Sequence, residues 1–294
     1  MALILGIGEV LWDILPDGRH LGGAPANFAY HCHALGADAA MISAVGADPL
    51  GDEILRIINN LGLPGDHIAV VDGHPTGTVT VQLDAQGVPA FTIHTEVAWD
   101  YIPLRQASLS LVEQADAVCF GTLAQRAPVS RATIGVLLGA TRPDAVRIFD
   151  LNLRQRFYNE EIIRAALAHA TLLKLNSDEL PVLAALLGLT GTLEEQLAAL
   201  AQQFALRGIA LTRGAGGSVL LLDGELVAHP GCRVAVRDTI GAGDAFTAAL
   251  ALGLLRGWPA RRISDAANDV AAYVCTQPGA TPPMPAPLRT RFAT

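Results

Sequence analysis

The chain has 294 residues, of which 51% are hydrophobic and 16% are charged, and its formal net charge at pH 7 is −8. This composition indicates a compact globular protein with one large α/β domain or two small ones. The negative charge argues against a nucleic-acid or anionic-membrane surface, where basic patches are expected. It does not exclude a small anionic ligand, because a few backbone donors can bind one locally.

The cysteines and the N-terminal segment indicate a cellular setting. Cys32, Cys119, Cys232 and Cys275 lie far apart and form no C-x-x-C pair, which indicates neither a zinc site nor a disulfide framework. The N-terminal segment lacks a basic region and soon carries acidic residues, unlike a signal peptide. No apolar run approaches the roughly 18 residues that a membrane helix needs. We therefore expect a cytoplasmic protein.

Short apolar runs alternate with helical segments along the chain. The runs ALILGIG, AAMISAVG, DAVCFG, AVRIFD, ATLLKLN and GIALTRG are typical of buried strands. Helical segments between and after them include APANFAYHCHALG, PLGDEILRIINNLG and DAFTAALALGLL. This alternation predicts a mostly parallel sheet with helices on both faces.

The segment TVTVQLDAQGVPAFTIHT interrupts the alternation. Polar and apolar residues alternate in its first half, DAQG supplies turn chemistry, and a second β-rich run follows. We predict a hairpin over 78–95 that covers the ligand as part of a lid and pairs across a dimer. A second hairpin is predicted in LLLDGELVAH, where Asp223 and Gly224 suit a tight turn. The Pro-rich TPPMPAPLRT is predicted to be a tail that crosses the surface.

Polar residues follow several of the predicted strands. Ligands of open parallel sheets bind outside the carboxyl ends of the strands, so these residues should lie on one edge of the sheet. They are Glu9, Asp13, Gly22, Gly23 and Asn27 after the first strand, then Asp150, Asn152 and Arg154, then Asn176 and Glu179, and finally Thr212, Arg213 and Gly214. Together they resemble a site for two substrates.

Structural roles could account for several of these residues. Gly22 and Gly23 fit an ordinary loop, and Asn27 fits the first turn of a helix. The segment NSDE fits a helix start capped by Ser177 or Asp178. The segment RGAGGS lacks the full G-x-G-x-x-G spacing and leads into a hairpin, which argues against a dinucleotide fold.

The segment DTIGAGDAF precedes a strongly apolar helix. Its Gly-Ala-Gly stretch would present backbone N–H groups at the helix N-terminus, where an anion binds well. Asp244 could cap that helix, or it could take a proton from a substrate hydroxyl while the N–H groups stabilise a transferring phosphoryl group. The residues alone leave both interpretations open.

The chain resembles the ribokinase-like (PfkB) carbohydrate kinase family over essentially its whole length. The resemblance rests on LGGAPANFAYHCHALGADAAMISAVG and on DTIGAGDAF, in which Ile240 fills a position often held by Thr or Val. It implies one kinase domain over 1–294 with a three-layer α/β/α fold, a mostly parallel central sheet and a small β-sheet lid from roughly 11–22 and 70–97. The implied reaction transfers the γ-phosphoryl group of ATP to a sugar hydroxyl.

The resemblance also implies residue roles. Asp244 corresponds to the catalytic base, Gly241, Ala242 and Gly243 to the anion hole, and Arg154 to an arginine near the phosphates or the sugar. The implied sugar contacts are Glu9, Asp13, Gly22, Gly23, Asn27 and Asp244, and Trp99 is a candidate for the pocket or, alternatively, for the core. The implied nucleotide contacts are Asn176, Thr212, Gly214, Gly217, Gly243 and Asn268. Asn176 and Glu179 match an N-x-x-E motif associated indirectly with Mg²⁺, and Asp238, Ile240 and Gly279 are candidates for a monovalent cation such as K⁺.

The segments GEVLWDILPDG and DLNLR favour the fructokinase branch of this family. A kinase for ribose, 2-keto-3-deoxygluconate or a nucleoside such as adenosine is the nearest alternative. A catalytically silent relative that binds a sugar or nucleotide is the alternative from another class. The expected partners are the sugar, ATP and a second copy of the chain bound through the lid.

Overall fold

The large sheet and the helices on its two faces form three layers. In the computed structural model, which describes residues 1–15, 18–83 and 89–293, nine strands follow the order β13-β12-β11-β10-β9-β8-β1-β4-β5. The strands from β11 to β5 in this order run parallel, whereas β12 is antiparallel to both of its neighbours, β11 and β13. They are β1 Leu3–Ile7, β4 Asp38–Gly46, β5 Ile68–Val71, β8 Ala117–Gly121, β9 Val146–Asp150, β10 Leu172–Asn176, β11 Gly208–Thr212, β12 Ser218–Leu222 and β13 Glu225–His229. Most of the central strands are buried on both faces, as parallel sheets require.

A second, four-stranded sheet has the order β3-β2-β6-β7. Its strands are β2 Leu11–Leu15, β3 Gly18–Gly22, β6 Thr78–Leu83 and β7 Pro89–Ile93. The hairpin strands β6 and β7 pair in antiparallel register, as the alternating pattern predicts, and β2 pairs in parallel with β6. The predicted DAQG turn, residues 84–87, lies outside the described residues. A lid role for this sheet stays a prediction.

Helices cover both faces of the large sheet. They are α1 Ala24–Ala34, α2 Pro49–Asn60, α3 Gln106–Val112, α4 Pro128–Gly139, α5 Glu160–His169, α6 Glu179–Leu187, α7 Leu193–Gln203, α8 Ala242–Leu255, α9 Ala260–Cys275 and α10 Ala286–Arg291. One apolar core contains residues of α1, α2, α8 and α9, and the other contains residues of α3 to α7. The three-layer α/β/α arrangement is therefore confirmed. Within the described ranges, no helix is both long and apolar enough to cross a membrane.

Local sequence signals explain several element ends. Asp48 accepts a hydrogen bond from the Gly51 backbone at 2.8 Å and starts α2, where Pro49 follows as the first helical residue. The turn between β12 and β13 uses Asp223 and Gly224 at positive φ, 51° and 85°, as the sequence predicts.

The segment TPPMPAPLRT crosses the surface, as the sequence predicts, but buried residues within it anchor it to the core. Met284 is buried, and the Tyr30 hydroxyl donates to the Pro282 carbonyl at 3.0 Å. Helix α10 includes the second half of the segment, and Phe292 beyond it packs against Trp258. Apolar residues spaced among the prolines therefore hold this segment against α1 and the core.

Candidate active site

Helix α8 begins at the Gly-Ala-Gly segment. Gly241 precedes its first residue with φ 78°, in the left-handed region. A Cβ atom at this position would lie 2.4 Å from the Ala280 carbonyl oxygen, so only glycine fits. The first backbone N–H groups of a helix have no partner four residues back, and the helix dipole makes this end electropositive. The segment therefore offers hydrogen-bond donors to an anion.

The Asp244 carboxylate does not cap α8 in this structure. Among the described residues, no side chain caps α8. Asp244 Oδ2 instead accepts a hydrogen bond at 2.8 Å from Asn27 Nδ2, which lies on α1. Burial raises the pKa of Asp244 to about 6, and the negative charge of Asp150 adds to this rise. A carboxylate with such a pKa is ionised at neutral pH and accepts protons more readily than an exposed one.

Four of the predicted sugar contacts lie together before α1. Gly23 is the residue that begins this helix, and a Cβ atom there would lie 2.4 Å from the Glu9 carbonyl oxygen. A Cβ atom on Gly22 would lie 2.4 Å from Asp13 Oδ2. The glycines therefore allow the chain to pass directly against these two acidic residues.

Glu9 is buried beside the site. Its carboxylate accepts backbone hydrogen bonds from Glu9 itself and from Ala24, and Oε2 has no partner within the described ranges. Burial raises the pKa of Glu9 to about 7, although these backbone bonds and the Arg154 guanidinium lower it. A buried oxygen atom without a partner is costly, which makes this atom a good acceptor for a ligand hydroxyl.

Arg154 lies in the exposed loop after β9. Its positive charge lowers the pKa values of Glu9, Asp13 and Asp244, in each case against the larger effect of burial. One guanidinium therefore acts on three carboxylates, two near the N-terminus and one at the start of α8. Asn27 joins the same group through its hydrogen bond to Asp244.

A buried ion pair lies beneath the Gly-Ala-Gly segment. Lys174 Nζ on β10 is 3.0 Å and 3.2 Å from the two carboxylate oxygens of Asp150 on β9, and both side chains are buried. The ammonium group would lie 3.2 Å from a Cβ atom on Gly243. Burial alone would lower the pKa of Lys174, but Asp150 and the neighbouring acids hold it above its ordinary value.

The predicted site residues did not include this lysine. Asp150 was noted only as a polar residue after a strand. The available signal for Lys174 was a charged residue inside the apolar run LLKLN, which is unusual unless the charge is paired.

The N-x-x-E segment forms the start of α6. Asn176 Oδ1 accepts hydrogen bonds from the backbone N–H groups of Asp178 and Glu179, so Asn176 performs the capping that was considered for Ser177 or Asp178. The Glu179 carboxylate accepts from the backbone N–H groups of Leu153 and Asn176, both at 2.8 Å. It ties the loop after β9 to the end of β10.

The predicted nucleotide residues lie near β11 and β12. Thr212 ends β11, and Gly214 begins the turn that follows it. Gly217 has φ 78° and packs so closely on His229 and Gly231 that a Cβ atom would lie 2.2 Å from their backbones. 

Asn268 on α9 lies on the same side of the fold. It is buried, and its Nδ2 donates to Ser218 Oγ and to the Ser264 carbonyl, both at 2.8 Å. Its side chain thus joins α9 to β12.

The candidate cation residues join two loops. Asp238 Oδ1 accepts from the Ile240 backbone, and Oδ2 accepts from the Gly279 backbone, both at 3.0 Å. The Ile240 side chain is 51% exposed. The Asp238 carboxylate thereby fixes the segment before α8 to the segment after α9.

Trp99 is buried in the core against Gly77 and Arg126. Its side chain is 0% exposed, and the Arg126 guanidinium stacks 3.9 Å from the centre of its ring. Arg126 is in turn paired with Asp100 at 2.8 Å. These contacts fit the core position considered for Trp99, and a sugar contact through it stays a prediction.

The described residues contain no cluster of three or more His, Cys, Asp or Glu side chains that could hold a metal ion. Mg²⁺ in phosphoryl-transfer sites commonly has one or two carboxylate ligands and takes the others from water and phosphates. Glu179 supplies one carboxylate with a remaining lone pair on each oxygen, which fits such an indirect role.

Comparisons with known proteins identify the family of the chain. The pattern of the pfkB family carbohydrate kinases matches residues 17–287. A fructokinase of Escherichia coli is 30% identical over 296 residues, which cover 95% of each chain. An uncharacterized sugar kinase of Pyrococcus horikoshii, solved in complex with ATP, superposes with a TM-score of 0.79 at 28% identity over 95% of this chain and 94% of its own.

The fold itself has a further match. A fructokinase of Xylella fastidiosa with bound ATP superposes with a TM-score of 0.85 at 24% identity, over 99% of this chain and 97% of its own. The match over most of the chain, together with the ribokinase-like arrangement of its two sheets, shows that this protein belongs to the pfkB family carbohydrate kinases and is a sugar phosphotransferase.

Proposed function

We propose that this enzyme transfers the γ-phosphoryl group of ATP to a hydroxyl group of fructose. The observation that carries the proposal is the position of Asp244, a buried carboxylate in the first turn of α8, directly after the Gly-Ala-Gly segment. It brings a base next to an electropositive helix end, which is the combination that phosphoryl transfer to an alcohol requires.

In the proposed mechanism, the sugar binds among Glu9, Asp13 and Asn27, at the end of β1 and the start of α1. Asp244 accepts the proton of the attacking hydroxyl group. The hydroxyl oxygen forms a bond to the γ-phosphorus as the bond to the bridging oxygen of ADP breaks. The backbone N–H groups of Gly241, Ala242 and Gly243 form the anion hole that stabilises the charge on the phosphoryl oxygens.

Two cationic side chains support the same step. Arg154 lies where it acts on Glu9, Asp13 and Asp244, so it can hold the anionic phosphoryl group near them. The buried Lys174 ammonium beneath Gly243 is paired with Asp150 and offsets part of the effect of that carboxylate on Asp244. Both charges favour the ionised form of Asp244.

The nucleotide is proposed to lie over β10 and β11, in contact with Asn176, Thr212, Gly214, Gly217 and Asn268. This assignment is supported by the carboxyl ends of these strands lying on the same edge as Asp244, and by the ATP bound to the related sugar kinase. Mg²⁺ would be held mainly by the nucleotide phosphates, with Glu179 acting from the rim of the site. Bound there, it would neutralise phosphate charge.

A monovalent cation is proposed beside the anion hole, near Asp238, Ile240 and Gly279. Asp238 supports this assignment because its carboxylate accepts hydrogen bonds from the backbones of both loops and retains lone pairs.

Fructose is favoured by the 30% identity to a fructokinase over nearly the whole chain. A cytoplasmic homodimer formed through the four-stranded sheet completes the proposal, and light scattering of the purified protein tests the dimer.

The substrate is tested by ADP release across fructose, ribose, 2-keto-3-deoxygluconate and adenosine, each with K⁺ or with Na⁺ at equal ionic strength. We expect the highest kcat/KM with fructose and stimulation by K⁺. A higher kcat/KM with another acceptor would overturn the fructose assignment. If none of the four acceptors is phosphorylated, the result would favour a catalytically silent relative. Similarity to a fructokinase would then be the only support for fructose.

A further inference from the structure

Helix α1 forms hydrogen bonds both to the candidate base, Asp244, and to the segment 280–282, which packs behind the anion hole. Asn27 donates to Asp244 Oδ2 at 2.8 Å, near the beginning of the helix. One turn further along, the Tyr30 hydroxyl donates to the Pro282 carbonyl at 3.0 Å, and His31 Nε2 lies 2.9 Å from the Ala280 carbonyl oxygen. Three contacts from one helix thus reach two segments that are more than 200 residues away in the chain.

The Ala280 backbone is the surface on which Gly241 rests. A Cβ atom on Gly241 would lie 2.4 Å from the Ala280 carbonyl oxygen and 2.8 Å from its Cα atom. Gly241 is the residue in the left-handed region that turns the chain into α8. A shift of the Ala280 carbonyl would therefore move the turn from which the Gly-Ala-Gly N–H groups project.

The His31 side chain forms a hydrogen bond with the Ala280 carbonyl. Its side chain is 0% exposed, and because a carbonyl oxygen only accepts, Nε2 must carry the proton. The imidazole is neutral, since burial lowers its pKa to about 4. Its Nδ1 atom has no partner among the described residues, so the bond to Ala280 is the polar contact that fixes the ring.

We infer that His31 is a positioning residue for the anion hole: its hydrogen bond fixes the Ala280 carbonyl, and through it the turn at Gly241. The inference rests on the proposed function, in which Gly241, Ala242 and Gly243 bind the transferring phosphoryl group. His31 touches neither substrate in this scheme. Its contribution is therefore expected in kcat and not in the binding of the sugar.

The test compares His31→Leu with His31→Gln. Leucine removes the donor, and we expect kcat to fall about tenfold to a hundredfold, as for the loss of a residue that orients a catalytic group. The KM for the sugar should stay within about twofold, because Glu9, Asp13 and Asn27 are unchanged. Glutamine carries an N–H donor near the position of Nε2 and should recover most of the lost kcat.

Tyr30→Phe is the matched control. It removes a buried hydrogen bond from the same helix to the same segment, two residues beyond Ala280. We expect a comparable drop in unfolding temperature but a kcat within about twofold of the native enzyme, since the atoms nearest to a Cβ on Gly241 belong to Ala280. Should His31→Leu fail to fold, His31→Asn, whose shorter side chain does not reach Ala280, takes its place against His31→Gln.

The inference is overturned if folded His31→Leu keeps native kcat, or if Tyr30→Phe loses as much kcat as His31→Leu. It is also overturned if the lost kcat is not recovered by glutamine. The acid side of the pH profile should remain at its native position in His31→Leu, because Asn27 still donates to Asp244. Turnover that survives Asp244→Asn would instead refute the proposed function, whatever the His31 variants do.

Discussion

At the scale of single residues, burial and a nearby guanidinium have opposite effects on the pKa values of the acidic residues in the candidate site. Burial raises the pKa of Glu9 to about 7 and that of Asp244 to about 6, and Arg154 lowers both. Both carboxyl groups therefore titrate closer to neutral pH than exposed carboxylates do. This suits Asp244 as proton acceptor and Glu9 as a hydrogen-bond donor or acceptor toward a sugar hydroxyl.

We predict an acid limb near pH 6 in the pH dependence of kcat/KM. A base must be deprotonated to act, and the raised pKa of Asp244 means that its active fraction falls as the pH drops through about 6. Below this pH, the rate should fall about tenfold per pH unit. Steady-state ADP release with subsaturating sugar between pH 5 and 9 measures the limb.

Glu9→Gln identifies the group responsible. Glutamine keeps the size of the side chain and cannot titrate, so a limb that belongs to Asp244 should remain near pH 6 in this variant. If the limb disappears, the titrating group is Glu9 and the assignment of the base is wrong.

At the scale of elements, the two ends of α8 offer a matched pair of glycines. Gly241 precedes the helix with φ 78°, and Gly257 follows it with φ 63°. An added Cβ atom at Gly241 would meet the Ala280 carbonyl oxygen at 2.4 Å, whereas nothing lies within 4 Å of one at Gly257. The backbone penalty of alanine is thus similar at the two ends, but the steric clash is confined to the anion hole.

We predict that Gly241→Ala lowers kcat at least about a hundredfold, by displacing the donors of the anion hole. Gly257→Ala should cost about 1–2 kcal/mol of stability, the usual penalty for a left-handed residue, and leave kcat unchanged. Kinetics and urea unfolding of both variants provide the comparison. Equal kcat values in the two variants would mean that the turn at Gly241 has no catalytic importance.

The sequence predicted elements well where local chemistry decides the conformation. Asp223 and Gly224 form the expected turn because Asp and Gly tolerate the positive φ that a two-residue hairpin loop requires. The start of α6 was anticipated, but the capping oxygen belongs to Asn176 and not to Ser177 or Asp178. Several adjacent polar side chains could cap this helix. The one that does so is set by the direction of the side chains at the end of the preceding strand, and the sequence pattern does not give that direction.

At the scale of the whole molecule, the parallel sheet explains how distant residues form one site. Its strand order puts β8 between β1 and β9, with β10 and β11 beyond, so residues from Glu9 to Thr212 reach the same edge. That edge was predictable, because the carboxyl ends of parallel strands coincide. The strand order was not predictable from periodicity alone, and the Asp150–Lys174 pair depends on it, since β9 and β10 are neighbours.

Long-range packing also accounts for the anchoring of the Pro-rich segment. Its composition predicts a surface tail but not the contacts that hold it. Tyr30 on α1 bonds Pro282 of this segment and His31 bonds Ala280 just before it, in each case across about 250 residues of chain. No local pattern reveals that two aromatic side chains of an early helix will bind carbonyl groups near the C-terminus.

The central claim is that Asp244 is the base of a sugar kinase, and Asp244→Asn tests it most directly. Asparagine keeps the shape of the side chain and can still accept the hydrogen bond from Asn27, but it cannot take a proton. In a fructose-dependent ADP-release assay at pH 8, we predict a loss of kcat of about 10²–10⁴-fold or more, with an unfolding temperature close to native. A folded Asp244→Asn variant with kcat within tenfold of the native enzyme would contradict the account.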